Sequence, residues 1–286
     1  MSASAIFECH GHIIADGIDY RAAQALHKRG ASETAVRAAL ARNRDCGVVY
    51  YRDGGDRLGA SLLAKSVAPE YGIEYRTPSA ILHRRGHYGE LYGIAYRDLT
   101  EYRALVARVR AQGADFIKIA ATGMLDFAGD GRVLGEALPF SELSELVRAA
   151  HGEGFAVMAH CNGADNIIAA AEAGVDSVEH GFHADARAVD CMVDCGVIWC
   201  PTCVTAVNNA AGGRFPRETM AKIVAAHADA LRYAASRGAF IACGSDAGAF
   251  NVLQGRGAAE EAAYLSGLGI DTAPGNAKLR EVFRAG

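Results

Sequence analysis

His10 and His12 stand two apart at the end of an apolar run, Ala5-Ile6-Phe7-Glu8-Cys9-His10-Gly11-His12-Ile13-Ile14. Residues two apart on a β-strand share a face. The two imidazoles would lie side by side, a pairing suited to a metal ion. Alone, the pair is almost as well explained by a strand with two polar residues on its wet face. Further ligand-type residues recur downstream where apolar runs end: Lys118 within Phe116-Ile117-Lys118-Ile119-Ala120, His160 after Val157-Met158-Ala159, His180 in Ser177-Val178-Glu179-His180-Gly181, and Asp246 after Cys243-Gly244-Ser245. Each has a plain structural explanation. His160 could be a hydrogen-bonded core histidine, Asp246 could cap the next helix, and Lys118 could extend its ammonium to water. Four histidines, a buried-type lysine and an aspartate, all at strand ends, are harder to assign to packing together.

The lysine looks out of place beside metal ligands, because an ammonium has no lone pair and repels a cation. Burial near cations lowers its pKa and favours the free amine. A free amine can add carbon dioxide to give a carbamate, an anion whose two oxygens can bridge two metals. Two metals about 3.5–4 Å apart can hold a shared hydroxide and polarise a carbonyl or phosphoryl oxygen.

Such a constellation needs a scaffold that brings many strand ends together. Candidate strands fall at 6–14, 47–51, 74–82, 115–121, 156–161, 177–181, 197–203 and 240–244. Amphipathic helical patterns lie between them at 33–44, 58–70, 99–112, 141–152, 164–173, 185–195 and 217–237. Ser141 with Glu145 comes close to a capping-box signal. Gly174, Gly196 and Gly238 stop three of the helices. The strand–helix rhythm repeats about eight times and predicts a parallel sheet with helices outside. About eight units over about 250 residues is the size of a (β/α)₈ TIM-type barrel, whose chemistry gathers at the C-terminal ends of its strands. The alternative is a doubly wound open sheet; the absence of G-x-G-x-x-G after the first strand and of a P-loop weakens a nucleotide-binding version. No linker or composition break marks a second domain, so residues 1–286 are expected to form one barrel. Residues 255–286 supply the last helix and a short helical tail.

Composition narrows the function. The chain has 286 residues, 51% hydrophobic and 22% charged, with a net charge of −4. No basic stripe or polybasic tail suggests nucleic acid or an anionic membrane. No apolar run is long enough to span a bilayer. The start, Met-Ser-Ala-Ser-Ala, lacks the charged and apolar regions of a signal peptide. A cytoplasmic protein with a small-molecule substrate is expected, and a homo-oligomer stays open. The eight cysteines are expected to be reduced thiols. Cys191, Cys195, Cys200 and Cys203 are spaced like a zinc site. However, the first pair falls on a helical pattern and the second on an apolar strand that turns its two thiols to opposite faces.

The constellation resembles the amidohydrolase superfamily of metal-dependent hydrolases. Arg52-Asp53-Gly54-Gly55 resembles the R-D-x-G turn of the branch that holds imidazolonepropionase-like proteins and the proline/arginine dipeptidases. Arg85-Gly86-His87-Tyr88-Gly89-Glu90 resembles the G-G-H-G-D segment of those dipeptidases, and Lys118-Ile119-Ala120-Ala121-Thr122-Gly123 resembles their K-I-x-x-T-G. Ala173-Gly174-Val175-Asp176 leading to Glu179-His180-Gly181, Pro201-Thr202, and Gly244-Ser245-Asp246-Ala247-Gly248 follow the same branch. The likeness runs from His10 to Asp246. One departure is that most members of the branch carry a small β-sandwich flanking the barrel. Only a few residues precede His10 and about forty follow Asp246, so the sandwich is expected to be absent and the barrel base to be covered by the tail or by another subunit.

The resemblance implies a binuclear centre of two divalent ions, with zinc the first choice. His10, His12 and Asp246 would hold one ion, His160 and His180 the other, and Lys118, N-carboxylated by carbon dioxide, would bridge them. A metal-bridging hydroxide would attack the carbonyl of a dipeptide, an N-acyl amino acid or a related small amide. Asp246 would carry the proton to the leaving nitrogen. A lactone or phosphotriester hydrolase on the same metal pair is the alternative. A deaminase fits less well because of the lysine, and a non-catalytic metal-binding barrel is the remote alternative. His87 is the foremost candidate for substrate contact, with His83 and His183 behind it. His27, His151 and His227 fall in helical patterns and are expected to be non-catalytic. Arg52 and Asp53 are expected to brace their turn, Trp199 to pack, and the segments 88–102, 124–139 and 204–215 to carry specificity.

Overall fold

A computed structural model describes residues 5–284, so most of the Met-Ser-Ala-Ser-Ala start and the last two residues of the tail lie outside it. Ten strands form two parallel sheets. In the first, β1 (Ile6–Gly11), β2 (Val48–Asp53) and β3 (Glu74–Arg76) lie in that order. The second contains β4 (Ile81–Arg84), β5 (Ile94–Tyr96), β6 (Ile117–Ala120), β7 (Val157–Cys161), β8 (Ser177–His180), β9 (Ile198–Cys200) and β10 (Phe240–Ile241). Its order is β10-β9-β8-β7-β6-β4-β5. Parallel neighbours require crossover connections, and helices such as Glu33–Asp45, Leu99–Ala111, Phe140–Gly152 and Arg217–Ser236 supply them.

The ladders are not continuous around the molecule, and hydrogen bonds stitch the two sheets at both seams. On one side the Cys9 amide donates to the Cys243 carbonyl at 2.8 Å, the Asp246 amide to His10 at 2.6 Å and the His12 amide to Ala247 at 2.7 Å. On the other, the Asp115 amide donates to Thr77, and the Thr77 amide to an Asp115 carboxylate oxygen at 2.9 Å. The expected third strand, 74–82, is thus two strands. Pro78 has no amide to give a ladder, and Ser79 sits at φ 65°, so the chain kinks between β3 and β4.

Other expected elements shift for local reasons. β1 stops at Gly11 because the Ile13 amide goes to the Asp53 carboxylate at 2.9 Å and the Ala15 amide to the His12 carbonyl. β10 is only two residues long because the Asn276 side chain takes the Cys243 amide. The helix expected from Ser141 starts at Phe140 behind Pro139, with no side-chain cap. Cys203 lies at the start of a helix, Val204–Ala211, rather than on a strand. That helix, a short one at Tyr20–Ala25, and β5 had no clear sequence pattern. All eight cysteines are free thiols. No described helix is long and apolar enough to cross a membrane.

The main core lies between the second sheet and its helices, with Leu82, Ile119, Val157, Val178 and Trp199 facing Leu146, Ile167, Val189 and Leu231. A smaller cluster fills the space between the sheets: Cys9, Tyr50, Phe116, Met158, Ile198, Cys200, Leu279 and Phe283. Leu279 comes from the last helix, Ala273–Val282, and Phe283 follows it and packs edge-on against Phe116. The tail therefore covers this cluster. Arg52, fully buried, crosses the same space. It donates to the Cys9 carbonyl (2.7 Å), to Ser177 Oγ (2.9 Å) and to Glu179 Oε1 (2.7 Å), and lies 4.3 Å from the Phe283 ring centre.

Two predictions follow from these buried charges. Arg52→Ala leaves the Glu179 carboxylate buried without its partner, and the loss should be roughly 3–5 kcal/mol in a denaturant titration; a loss below about 1 kcal/mol would show the pair to be dispensable. Glu261, on the helix Arg256–Gly267, accepts the Cys203 and Val204 amides at 3.0 and 2.9 Å. Burial pushes its carboxyl up to about 7, against those two amide bonds. The folded chain keeps a proton that the unfolded chain, near 4.5, releases. Its contribution to stability is complete below the unfolded value and is lost as the pH rises through about 7. The melting temperature of the wild type minus that of Glu261→Gln should therefore shrink between about pH 5 and pH 7.5. A difference that grows over this range would contradict the assignment.

Candidate active site

β1 delivers His10, and the turn after it delivers His12, to one space at the seam between the sheets. Lys118 of β6 reaches the same space. Its Nζ lies 2.9 Å from His10 Nε2 and 3.5 Å from His12 Nε2. Asp246 closes the group from the loop after β10, with Oδ1 3.7 Å from His10 Nε2 and 3.5 Å from His12 Nε2. Ligand atoms of His10, His12 and Asp246 all lie within 4.8 Å of one another. His180 follows at 4.9 Å from the His10 ring centre, and His160 at 4.5 Å from His180. All six residues expected from the sequence thus border one space. His160 Nε2 faces the Gly123 carbonyl at 3.1 Å, and His180 Nδ1 meets Thr202 Oγ1 at 2.8 Å.

Two site residues adopt the left-handed backbone, His180 at φ 68° and Asp246 at φ 60°. For a residue with a Cβ this costs on the order of 1 kcal/mol, and it turns each side chain sharply out of its strand direction. At β8 the turn continues through Gly181, where a Cβ would strike Trp199. Trp199 Nε1 in turn donates to the His180 carbonyl at 2.9 Å and holds it. Gly54, in the turn after β2, is small for a related reason: a Cβ there would collide with the His12 imidazole.

The electrostatics favour neutral nitrogens. Burial drives the His10, His12 and His180 pKa values well below the usual imidazole value, reinforced by neighbouring imidazoles and Lys118. Burial brings His160 down to about 4. It lowers Lys118 too, against the pull of Asp246 and Glu179. The Asp246 carboxyl is raised to about 7 by burial, although Lys118 opposes the rise. Neutral imidazoles, a carboxylate and an amine inclined to lose its proton form a nitrogen-and-oxygen donor set that suits a divalent transition ion.

Glu179 was not expected from the sequence. Its Oε2 lies 2.7 Å from His10 Nδ1 while Oε1 holds Arg52, so it sets the ring orientation that turns Nε2 to the shared space. A glutamate and an arginine within buried strands were the available signal. His10, Glu179 and Cys200 also group closely. There, however, Arg52 occupies the carboxylate and burial keeps the Cys200 thiol protonated. Asn162 was missed as well: its carbonyl oxygen takes the Phe182 amide and its amide faces Gly123 and His160.

The three histidines expected to touch substrate each meet a backbone carbonyl. His83 Nδ1 meets the Arg84 carbonyl, His87 Nδ1 the Glu136 carbonyl at 3.1 Å, and His183 Nε2 the Gly131 carbonyl at 2.7 Å. The cavity that opens from His160, His180 and Asp246, about 370 Å³ in volume, is lined by none of these three. His87 borders a neighbouring cavity beyond Tyr88, Met124 and Leu134. His27 bonds the Ser32 amide, His151 pairs with Asp176, and His227 faces Pro201. Asp53 braces its turn, taking the Ile13 and Gly55 amides and the Tyr75 hydroxyl.

Comparison with known proteins agrees with the α/β fold. The amidohydrolase family model matches residues 28–284, a span that starts after His10 and His12. The ochratoxinase of Aspergillus niger is 28% identical over 214 residues, which is 73% of this chain and 41% of that protein. The chain therefore spans about two-fifths of the length of the curated relatives it matches. Among solved structures, a Xaa-Pro dipeptidase with bound methionine superimposes with a TM-score of 0.76 at 24% identity, covering 99% of this chain and 78% of the other. A. niger ochratoxinase does so at 0.73 and 21%, covering 98% and 69%. These folds share the α/β architecture with parallel strands described above. With the family model spanning nearly the whole chain, this protein is a member of the amidohydrolase family.

Proposed function

We propose that this chain hydrolyses the C–N bond of a small amide with the help of two divalent metal ions, zinc foremost. The observation that carries this reading is the convergence of His10, His12 and Asp246 around Lys118. The two sheets are best understood as one (β/α)₈ barrel whose ladder is replaced at two seams by individual hydrogen bonds. One seam runs through the site. His10, His12 and Asp246 would hold one ion, His160 and His180 the other. Lys118 Nζ, kept toward the free amine, would carry a carbamate between them. Bound there, the ions would acidify a water and polarise the substrate carbonyl. The amide-hydrolysing names among the similar proteins, a Xaa-Pro dipeptidase and a prolidase complexed with N-methylphosphonate-L-proline, support an amide substrate.

The protein's own groups supply the rest. Asp246 would take a proton and pass it to the leaving nitrogen. Thr202 Oγ1 bonds the His180 ring at Nδ1, and the Glu179 carboxylate lies against His10 Nδ1. Tyr88, whose ring centre lies 4.5 Å from His160, and Tyr92, stacked at 5.3 Å on His12, shield the histidines from bulk water.

Protein purified without chelator should carry about two zinc-like ions per chain by emission spectrometry. Lys118→Ala should drop this to one or none, and His160→Ala or Lys118→Ala should abolish turnover of a dipeptide and N-acyl amino acid panel. Turnover that persists in metal-stripped protein would refute the reading.

A further inference from the structure

The cavity beside the site has a marked chemical character. Phe127, Phe182, Phe215 and Phe250 line it with Met124 and Leu134. Phe127 packs edge-on against Phe182 at 6.3 Å and against Phe215 at 5.7 Å. Leu125, Met220 and Ile223 back this wall. Asp126 and Asp246 are the charged residues among the lining; no lysine or arginine among the described residues lines it. Arg214 lies outside, over the faces of Phe250 at 3.9 Å and Phe215 at 5.4 Å, and braces the wall there.

A second observation points the same way. Large apolar side chains left in water are costly unless something covers them in use. Four of them border this one cavity: Met124 is 51% exposed, Phe250 45%, Tyr88 39% and Leu134 37%. The cavity and its rim thus form a mainly apolar surface beginning at the histidines, with Asn162, Thr205 and Asn209 as its uncharged polar members. A free carboxylate placed against the phenylalanines would lose its water beside Asp126, with no lysine or arginine among the cavity lining to pair with it. A bulky uncharged ring would cover the exposed side chains and stack on the phenylalanines.

We infer that the cavity selects amides bearing a bulky uncharged aromatic or branched aliphatic group next to the reacting bond, and discriminates against those with a free carboxylate in that position. The inference deepens the amide-hydrolase reading and rests on it for the reaction, not for the binding preference. Phe127, Phe215 and Phe250 are its specificity-determining residues.

The test uses matched amides that share one scissile bond and differ in one flank (methyl, phenylethyl or carboxyethyl), varied on the acyl side in one series and the amine side in another. In the metal-loaded protein, kcat/KM for the phenylethyl member of at least one series should exceed the methyl member by ~10–100-fold, with the carboxyethyl member lowest. Phe250→Ala, a half-exposed position where folding should survive, should cut the phenylethyl value by roughly 10-fold and lower the phenylethyl-to-methyl ratio by about the same factor. The corresponding ketones, with CH₂ in place of NH, are not cleaved, and calorimetry of their binding should give the same order. Amide turnover without preference would overturn the inference alone. Ketone preference without amide turnover would uphold the cavity and sink the hydrolase reading. Failure of the phenylethyl ketones to bind better than the carboxyethyl ones would overturn the inference whatever the turnover.

Discussion

Arg52 and Glu179 form an ion pair with no exposure to solvent, and the candidate site depends on it. One carboxylate oxygen holds the guanidinium and the other lies against His10 Nδ1. Buried ion pairs often contribute little net stability, because desolvation offsets much of the attraction. This one has a positional use. It links β2 of the first sheet to β8 of the second, through a guanidinium that also binds β1 at the Cys9 carbonyl. The two sheets lack a shared ladder, so such side-chain ties fix their relative placement, and His10 is fixed with them.

Above that pair the molecule gathers groups that would repel one another if all were charged. Four imidazoles and an amine share a dry space with one aspartate. Burial eases the conflict by lowering the proton affinity of the imidazoles and of Lys118 and raising that of Asp246. The result is a set of lone pairs pointing inward. The left-handed backbone at His180 and Asp246 carries a strain that neighbouring contacts, such as Trp199 on the His180 carbonyl, hold in place.

Much of this was legible in the sequence, and the rest fails to show there for definite reasons. The strand centres were readable because both faces are buried and the runs are continuously apolar, as in 117–120 and 157–161. His10, His12, Lys118, His160, His180 and Asp246 stood out because polar residues at the ends of such runs are conspicuous. The family resemblance rested on short motifs and agrees with the family model. Strand ends were less readable, since Asn276 and Asp53 take amides that a ladder would otherwise use, and neither partner is near in sequence. Glu179 was hidden for the same reason: its meaning depends on Arg52, far upstream. The aromatic cavity was hidden most completely. Its phenylalanines come from four separate segments, and each alone looks like ordinary core.

The seam through the site has a consequence for how the protein is made. Residues 8–12 meet residues 243–247 there, and the Cys9 thiol lies 3.5 Å from Asn276. A ribosome releases the histidines of β1 well before their aspartate partner, about 230 residues later. The early histidines must therefore stay unmatched through most of synthesis, since contacts so distant along the chain close slowly and late. Completion of the group formed by His10, His12, Lys118 and Asp246 is therefore a late step, coupled to the docking of the helices that follow Asp246 rather than to the emergence of any single strand.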